Sequence, residues 1–156
     1  MPTTATSELV IRKSIEVAAP IEILWKVLTD AEYIPQYMFG CNAETDWKPG
    51  SPLLWRGVAD GQVYVKGEVV SIEAPRRLVY TVIAPSPTIP DVPENYLTMT
   101  YELQAKGDRT SSLEMIQGDY AKVAEGQKRY DETVAGDDVI LTLIKKLAEA
   151  AAWPLP

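Results

Sequence analysis

The 156 residues predict an α+β domain, an antiparallel sheet covered by one long C-terminal helix. Three observations carry this expectation. Between residues 41 and 118, apolar side chains recur at every second position in runs separated by turn residues. From about residue 124 to 151 they recur every three or four positions, as on one face of a helix. The strand runs also form one block before that helix, which is the order of an α+β domain.

Taken in order, residues 1–7 are small and polar and read as a tail. "LVIRKSIEV" (9–17) puts Ile11, Ile15 and Val17 on one side and predicts a half-buried strand. In "AAPIEILWKVLTD", Pro20 suits a first helical position, and Ile21, Leu24, Trp25 and Leu28 follow at helical spacing. Asp30 is expected to cap a second short helix, "AEYIPQYM", interrupted by Pro35.

"CNAETDW" and "PLLWRGV" flank the turn "KPGS" and predict a hairpin, because Pro fixes one φ and Gly permits the other. "DG" at 60–61 marks a second turn. "QVYVKGEVVSIE" reads as a long strand with a bulge at Gly67, and "APRR" turns into "LVYTVIA". "APSPTIPDVPEN" (84–95) holds four prolines, which cannot donate to a sheet ladder, so it is a loop and a candidate lid. "YLTMTYELQA" alternates, with Leu97, Met99, Tyr101 and Leu103 on one face; beyond "KGD", Leu113 and Met115 share a face.

The final helix carries Tyr130, Thr133, Asp137, Ile140, Ile144, Leu147 and Ala151 on one stripe and is expected to run about 40 Å. A sheet with one apolar face needs a cover, and this helix is the element long enough to supply it. A strongly curved sheet around one helix leaves a gap where a ligand can sit.

The length suggests one domain, 1–156, that buries roughly 68–70% of its unfolded surface. Fifteen basic against 22 acidic residues give a net charge of −7. This argues against a nucleic-acid partner, whose affinity comes from clustered Lys and Arg, and against an anionic membrane surface. No apolar run approaches the roughly 20 residues of a membrane span, and no secretory signal is expected at the N-terminus. One cysteine, Cys41, allows no internal disulfide, and a cytoplasmic protein is expected. The absence of histidine removes Ser-His-Asp and Cys-His nucleophile systems and most zinc sites, and no cofactor is expected.

Several residues are candidates for binding. Trp47 and Trp55 either pack across the hairpin or wall a cavity, and Arg56 follows Trp55. Trp25 is a core residue of the first helix. Tyr37, Met38 and Phe39 end the helical pair beside a glycine and are candidates for a cavity mouth. The inward strand and helix positions Ile15, Val17, Met99, Tyr101, Met115, Ile140 and Ile144 line either an apolar pocket or a dry core. Asp137 falls on the inward stripe. Either the helix turns it to water near Gly136, or it points into a polar cavity with Arg56, Tyr80 and Tyr101. Arg76, Arg77 and "EGQKRYDE" (125–132) read as solvated surface.

The stretches "IEVAAPIEILWKVLTD", "TDWKPGSPLLWRG", "GEVVSIEAPRRLVYTV", "LTMTYEL" and "LIKKLAE" resemble, in order and spacing, the START-like (SRPBCC) superfamily, and within it the group of heat-shock protein 90 ATPase activator homologues. The resemblance implies the helix-grip fold, a curved antiparallel sheet of six to seven strands around a long C-terminal helix, with two short helices after the first strand. It departs in the Pro-rich 84–95 segment and in "VAGDDV", where relatives open the long helix with an aromatic-Gly pair. The apolar inward residues and the gap between sheet and C-terminal helix make non-catalytic binding of a small hydrophobic molecule, a lipid or hydrophobic metabolite, the first expectation. A co-chaperone or other protein-interaction role is the alternative; the family's eukaryotic co-chaperones bind largely through an additional N-terminal domain that is not in these residues. Some relatives are cyclases or hydrolases, for which Asp137, Tyr80, Tyr101 and Arg56 are the acid/base groups here. Monomer and homodimer both remain open.

Overall fold

The computed structural model describes residues 9–135 and 139–152. Strand β1 (Ile11–Val17) leads into helix α1 (Ile21–Thr29) and the single turn α2 (Ile34–Tyr37). Six strands follow: β2 (Cys41–Glu44), β3 (Pro52–Gly57), β4 (Val63–Glu73), β5 (Arg77–Val82), β6 (Leu97–Gly107) and β7 (Thr110–Gly118). Helices α3 (Gly126–Ala135) and α4 (Val139–Ala151) complete the chain. The expected single C-terminal helix is thus described as two helices, with 136–138 outside the described residues.

The strands form one antiparallel seven-stranded sheet in the order β1-β7-β6-β5-β4-β3-β2. β1 closes back on β7, with Ile11 opposite Gln117 and Val17 opposite Ser111. All other neighbours are hairpins or meanders. This is the helix-grip arrangement: α1, α2 and α4 pack on one face of the sheet.

Alternation decides that face. In β6, Leu97, Met99, Tyr101 and Leu103 are buried, while Thr98 and Glu102 are exposed. Their partners across β5 and β7 bring Tyr80 opposite Met99 and Met115 opposite Tyr101. Against them lie Leu24, Val27 and Leu28 of α1, Ile34 and Tyr37 of α2, and Leu141, Ile144 and Ala148 of α4. Each such aliphatic side chain, fully buried, contributes roughly 1.5–3 kcal/mol.

Local features differ from the sequence expectation in four places. Pro35 does not interrupt a helix; it occupies the first turn of α2, where its missing N–H costs nothing. Asp30 closes α1 as its C-cap residue, and its Oδ1 accepts from Glu32 N at 2.8 Å. The bulge of β4 lies between Val69 and Ser71, not at Gly67. Gly67 instead admits the β5 backbone: a Cβ there would come within 1.6 Å of the Thr81 carbonyl oxygen.

The Pro-rich loop is tied to the outer face of the sheet. Asp91 pairs with Lys66, which alternates with the core-packed Val65. Tyr96 Oη donates to Asp91 at 2.5 Å, and Asn95 Nδ2 donates to the Pro90 carbonyl at 2.9 Å. Asn95 Oδ1 in turn accepts from Ala124 N at 2.9 Å.

Candidate functional site

Two turns meet at the β2 end of the sheet. The first runs from α2 into β2 through Phe39 (φ 55°) and Gly40 (φ 82°), two consecutive left-handed residues. Gly40 N donates to the Pro35 carbonyl at 2.9 Å and Cys41 N to that of Met38 at 3.0 Å. A left-handed conformation is natural for glycine and costly for phenylalanine. The turn holds Phe39 outward, 71% exposed.

The second turn joins β3 to β4. Gly57 N donates to the Gln62 carbonyl at 2.8 Å, and Asp60 Oδ1 accepts from Gln62 N at 3.0 Å. The Tyr64 hydroxyl donates to the other Asp60 oxygen. Gly57 leaves room for this pair, since a Cβ there would lie 2.4 Å from Asp60 Oδ1 and 3.0 Å from Tyr64 Cε2. Val58 N donates to the Gly40 carbonyl at 2.9 Å and locks the two turns together.

Between the turns lies a cleft of about 380 Å³, within the range of small-molecule sites. Trp55 is part of its lining although only 1% of that residue is exposed. Met38, Phe39, Cys41 and Val65 are apolar lining, and Asp60 and Tyr64 supply polar groups. Burial raises the Cys41 thiol above its ordinary range, so it stays protonated at neutral pH. The Asp60 carboxyl is lowered by the Tyr64 hydroxyl and stays ionised.

Behind the cleft, an aromatic row runs into the core. The Trp55 and Tyr80 ring centroids are 5.6 Å apart, and those of Tyr80 and Tyr101 6.4 Å, both pairs tilted. Trp55 Nε1 is buried without a hydrogen-bond partner among the described residues, and Tyr101 Oη makes no bond of normal geometry there although it interacts with the Tyr80 hydroxyl. Tyr37, by contrast, donates to the Leu28 carbonyl at 2.7 Å. Burial raises the phenols of Tyr37 and Tyr80 well above the ordinary value and that of Tyr101 to about 12. At neutral pH all three are uncharged; they can donate or accept a hydrogen bond but are poor general bases.

The structure distributes the sequence candidates unevenly. Trp55, Met38 and Phe39 come together at the cleft. Tyr80 and Tyr101 continue its aromatic row. Met99, Met115 and Ile144 are buried in the core, with Ile140 packed against it in part. Tyr37 is 1% exposed and belongs to the core rather than to a mouth. Arg56 alternates away from Trp55. Its Nε bonds Glu44 at 2.7 Å and its Nη1 the Gly61 carbonyl at 2.7 Å, which fixes it outside the cleft. Trp47 lies outside both strands of its hairpin at φ 55°; the residues opposite Trp55 are Ala43 and Val65. Asp137 lies outside the described residues. The sequence reading did not assign Asp60, Tyr64 and Val65 to the site. The "DG" turn that it recognised is the signal for them, because a tight β3–β4 turn returns Asp60 and Tyr64 over Gly57.

The family model for the Activator of Hsp90 ATPase homolog 1-like protein matches residues 18–149. A solution structure from Cytophaga hutchinsonii is 30% identical, covering 95% of this chain and 99% of that one, with a TM-score of 0.71. A crystal structure from Mesorhizobium loti shares the fold at 17% identity, 90% and 97% coverage and a TM-score of 0.72. An Hsp90 activator from Plasmodium falciparum shares it at 22% identity, 70% and 72% coverage and a TM-score of 0.58. No curated protein matches the chain significantly. With the family model spanning most of its length, the chain belongs to the Activator of Hsp90 ATPase homolog 1-like family of the START-like superfamily.

Proposed function

We propose that the protein binds a small, mainly apolar molecule, without chemical conversion, in the cleft between the α2–β2 and β3–β4 turns. The observation that carries this reading is the left-handed, exposed Phe39 beside an apolar cleft that Trp55 helps to line. Backbone strain of this kind persists where the surrounding structure holds it, and it concentrates at ligand clamps. The unpartnered Trp55 Nε1 supports the same reading, since a ligand oxygen that reached it would satisfy a donor whose burial is otherwise costly.

The test is a titration with octan-1-ol, followed through the indole N–H resonances of isotopically labelled protein. The Trp55 resonance is expected to shift saturably while that of Trp25, on α1, stays in place. No movement of Trp55 up to the solubility limit of the alcohol overturns the proposal.

A second reading, docking of a protein partner on the same face, has its own observation. Phe39 and Val58, 71% and 67% exposed, belong to the two turns joined at Gly40. The related Plasmodium protein is described as an Hsp90 activator. Stimulation of Hsp90 ATPase by this chain, lost on Phe39→Ser, supports that reading; an unchanged ATPase rate removes it.

A further inference from the structure

We infer that the cleft selects its apolar ligand by charge, preferring one that carries an ammonium group and rejecting one that carries a carboxylate. This rests on the binding proposal above and adds the chemical class of the ligand.

The charge inventory of the cleft is one-sided. Among the described residues, its lining contains a single ionised side chain, Asp60, and no lysine or arginine. The nearest arginine in sequence, Arg56, is outside this lining, its guanidinium bonded to Glu44 and to the carbonyl of Gly61, the residue after Asp60. Cys41 remains a neutral thiol.

The position of Asp60 is built. Its Oδ1 is held by Gln62 N and its Oδ2 by the Tyr64 hydroxyl, and the pair lies over Gly57, where any side chain would collide with it. The carboxylate, exposed and part of the cleft lining, is therefore fixed within its turn and not a freely rotating surface charge. Phe39, Trp55 and Tyr64 are in the same lining. Aromatic faces attract cations and repel anions through the ring quadrupole. Carboxylate and rings thus bias the site in the same direction, and the overall charge of −7 adds to that bias at long range.

The test uses three ligands of equal chain length below their micelle concentrations: octylammonium, octan-1-ol and octanoate. Dissociation constants are measured at low and at high salt through the Trp55 resonance. Octylammonium is expected to bind about tenfold more tightly than octanoate at low salt, with octan-1-ol between them and the ratio shrinking as salt rises. Asp60→Asn keeps the Oδ1 acceptor for Gln62 N and is expected to reduce the ratio to about twofold. Asp108→Asn, an equal change of net charge in the β6–β7 turn, is expected to leave the ratio at its wild-type value.

Two outcomes separate the two claims. If octan-1-ol binds at Trp55 but octylammonium and octanoate bind equally, or if Asp108→Asn reduces the ratio as much as Asp60→Asn, charge selection by the cleft is overturned and the binding site stands. If none of the three ligands moves the Trp55 resonance, the binding site itself is overturned and charge selection falls with it.

Discussion

Tyr37 and Tyr101 offer the same perturbation with opposite expected signs. Both are 1% exposed and belong to the same core. Replacing either by phenylalanine removes one oxygen and leaves the ring. The Tyr37 hydroxyl donates to the Leu28 carbonyl at 2.7 Å, at the C-terminal end of α1. Its removal loses a hydrogen bond and leaves a buried carbonyl without that donor, a cost of about 1–3 kcal/mol. The Tyr101 hydroxyl makes no hydrogen bond of normal geometry among the described residues and meets only the Tyr80 hydroxyl. That contact compensates its desolvation only weakly, so removing the hydroxyl is expected to raise stability by about 1 kcal/mol. For a domain of this size that corresponds to a rise in Tm of about 2–4 °C. Urea denaturation with unchanged m-values is the assay. Tyr37→Phe should unfold at lower urea than wild type and Tyr101→Phe at higher. A loss of stability on Tyr101→Phe would show that its hydroxyl is bonded in solution, and the argument that the aromatic row waits for a ligand would fail.

Three further outcomes are expected. Phe39→Asn should leave stability within about 1 kcal/mol of wild type, because relief of the left-handed backbone, about 1–2 kcal/mol, offsets the small area this exposed ring hides. Its octan-1-ol affinity should nevertheless fall several-fold, and a fully retained affinity would remove Phe39 from the site. Gly67→Ala should cost about 3 kcal/mol or prevent folding, because its Cβ would meet the Thr81 carbonyl, while Gly107→Ala, with nothing within 4 Å, should be nearly neutral. Equal denaturation midpoints for those two variants would contradict the strand packing. Alkaline pH should destabilise the protein. Burial raises the phenols of Tyr37, Tyr80 and Tyr101, the last to about 12, so their protonated forms are favoured in the folded state. The stability they contribute is complete below the unfolded value near 10 and is lost as pH rises through the folded values. Urea midpoints that stay flat from pH 9 to 11 would refute it.

The architecture was legible in the sequence because it follows from local periodicity. Alternation in "YLTMTYEL" assigns Leu97, Met99, Tyr101 and Leu103 to one face whatever the rest of the chain does, and the structure buries all four. The Pro-Gly and Asp-Gly turns likewise require particular φ angles, and the strands on either side of each pair with one another. The family was legible for a related reason: the order of these segments is itself a long-range pattern.

The site depended on contacts between segments remote in sequence. Alternation separates Trp55 from Arg56 but cannot say that Glu44, twelve positions earlier, holds the arginine away. Helical spacing groups Tyr37 with Met38 and Phe39, yet the left-handed turn after α2 sends Tyr37 inward to Leu28 and Phe39 outward to the cleft. Asp60 looks like an ordinary turn residue until Gly57 leaves space for its carboxylate and Tyr64 orients it. By itself, the sequence determined the sheet, its apolar face and the family, because backbone periodicity and turn chemistry are short-range. Only the tertiary structure decided which aromatic residues meet, which polar atoms are left without partners and where a single charge stands, because those depend on distances set by the packing of the whole chain.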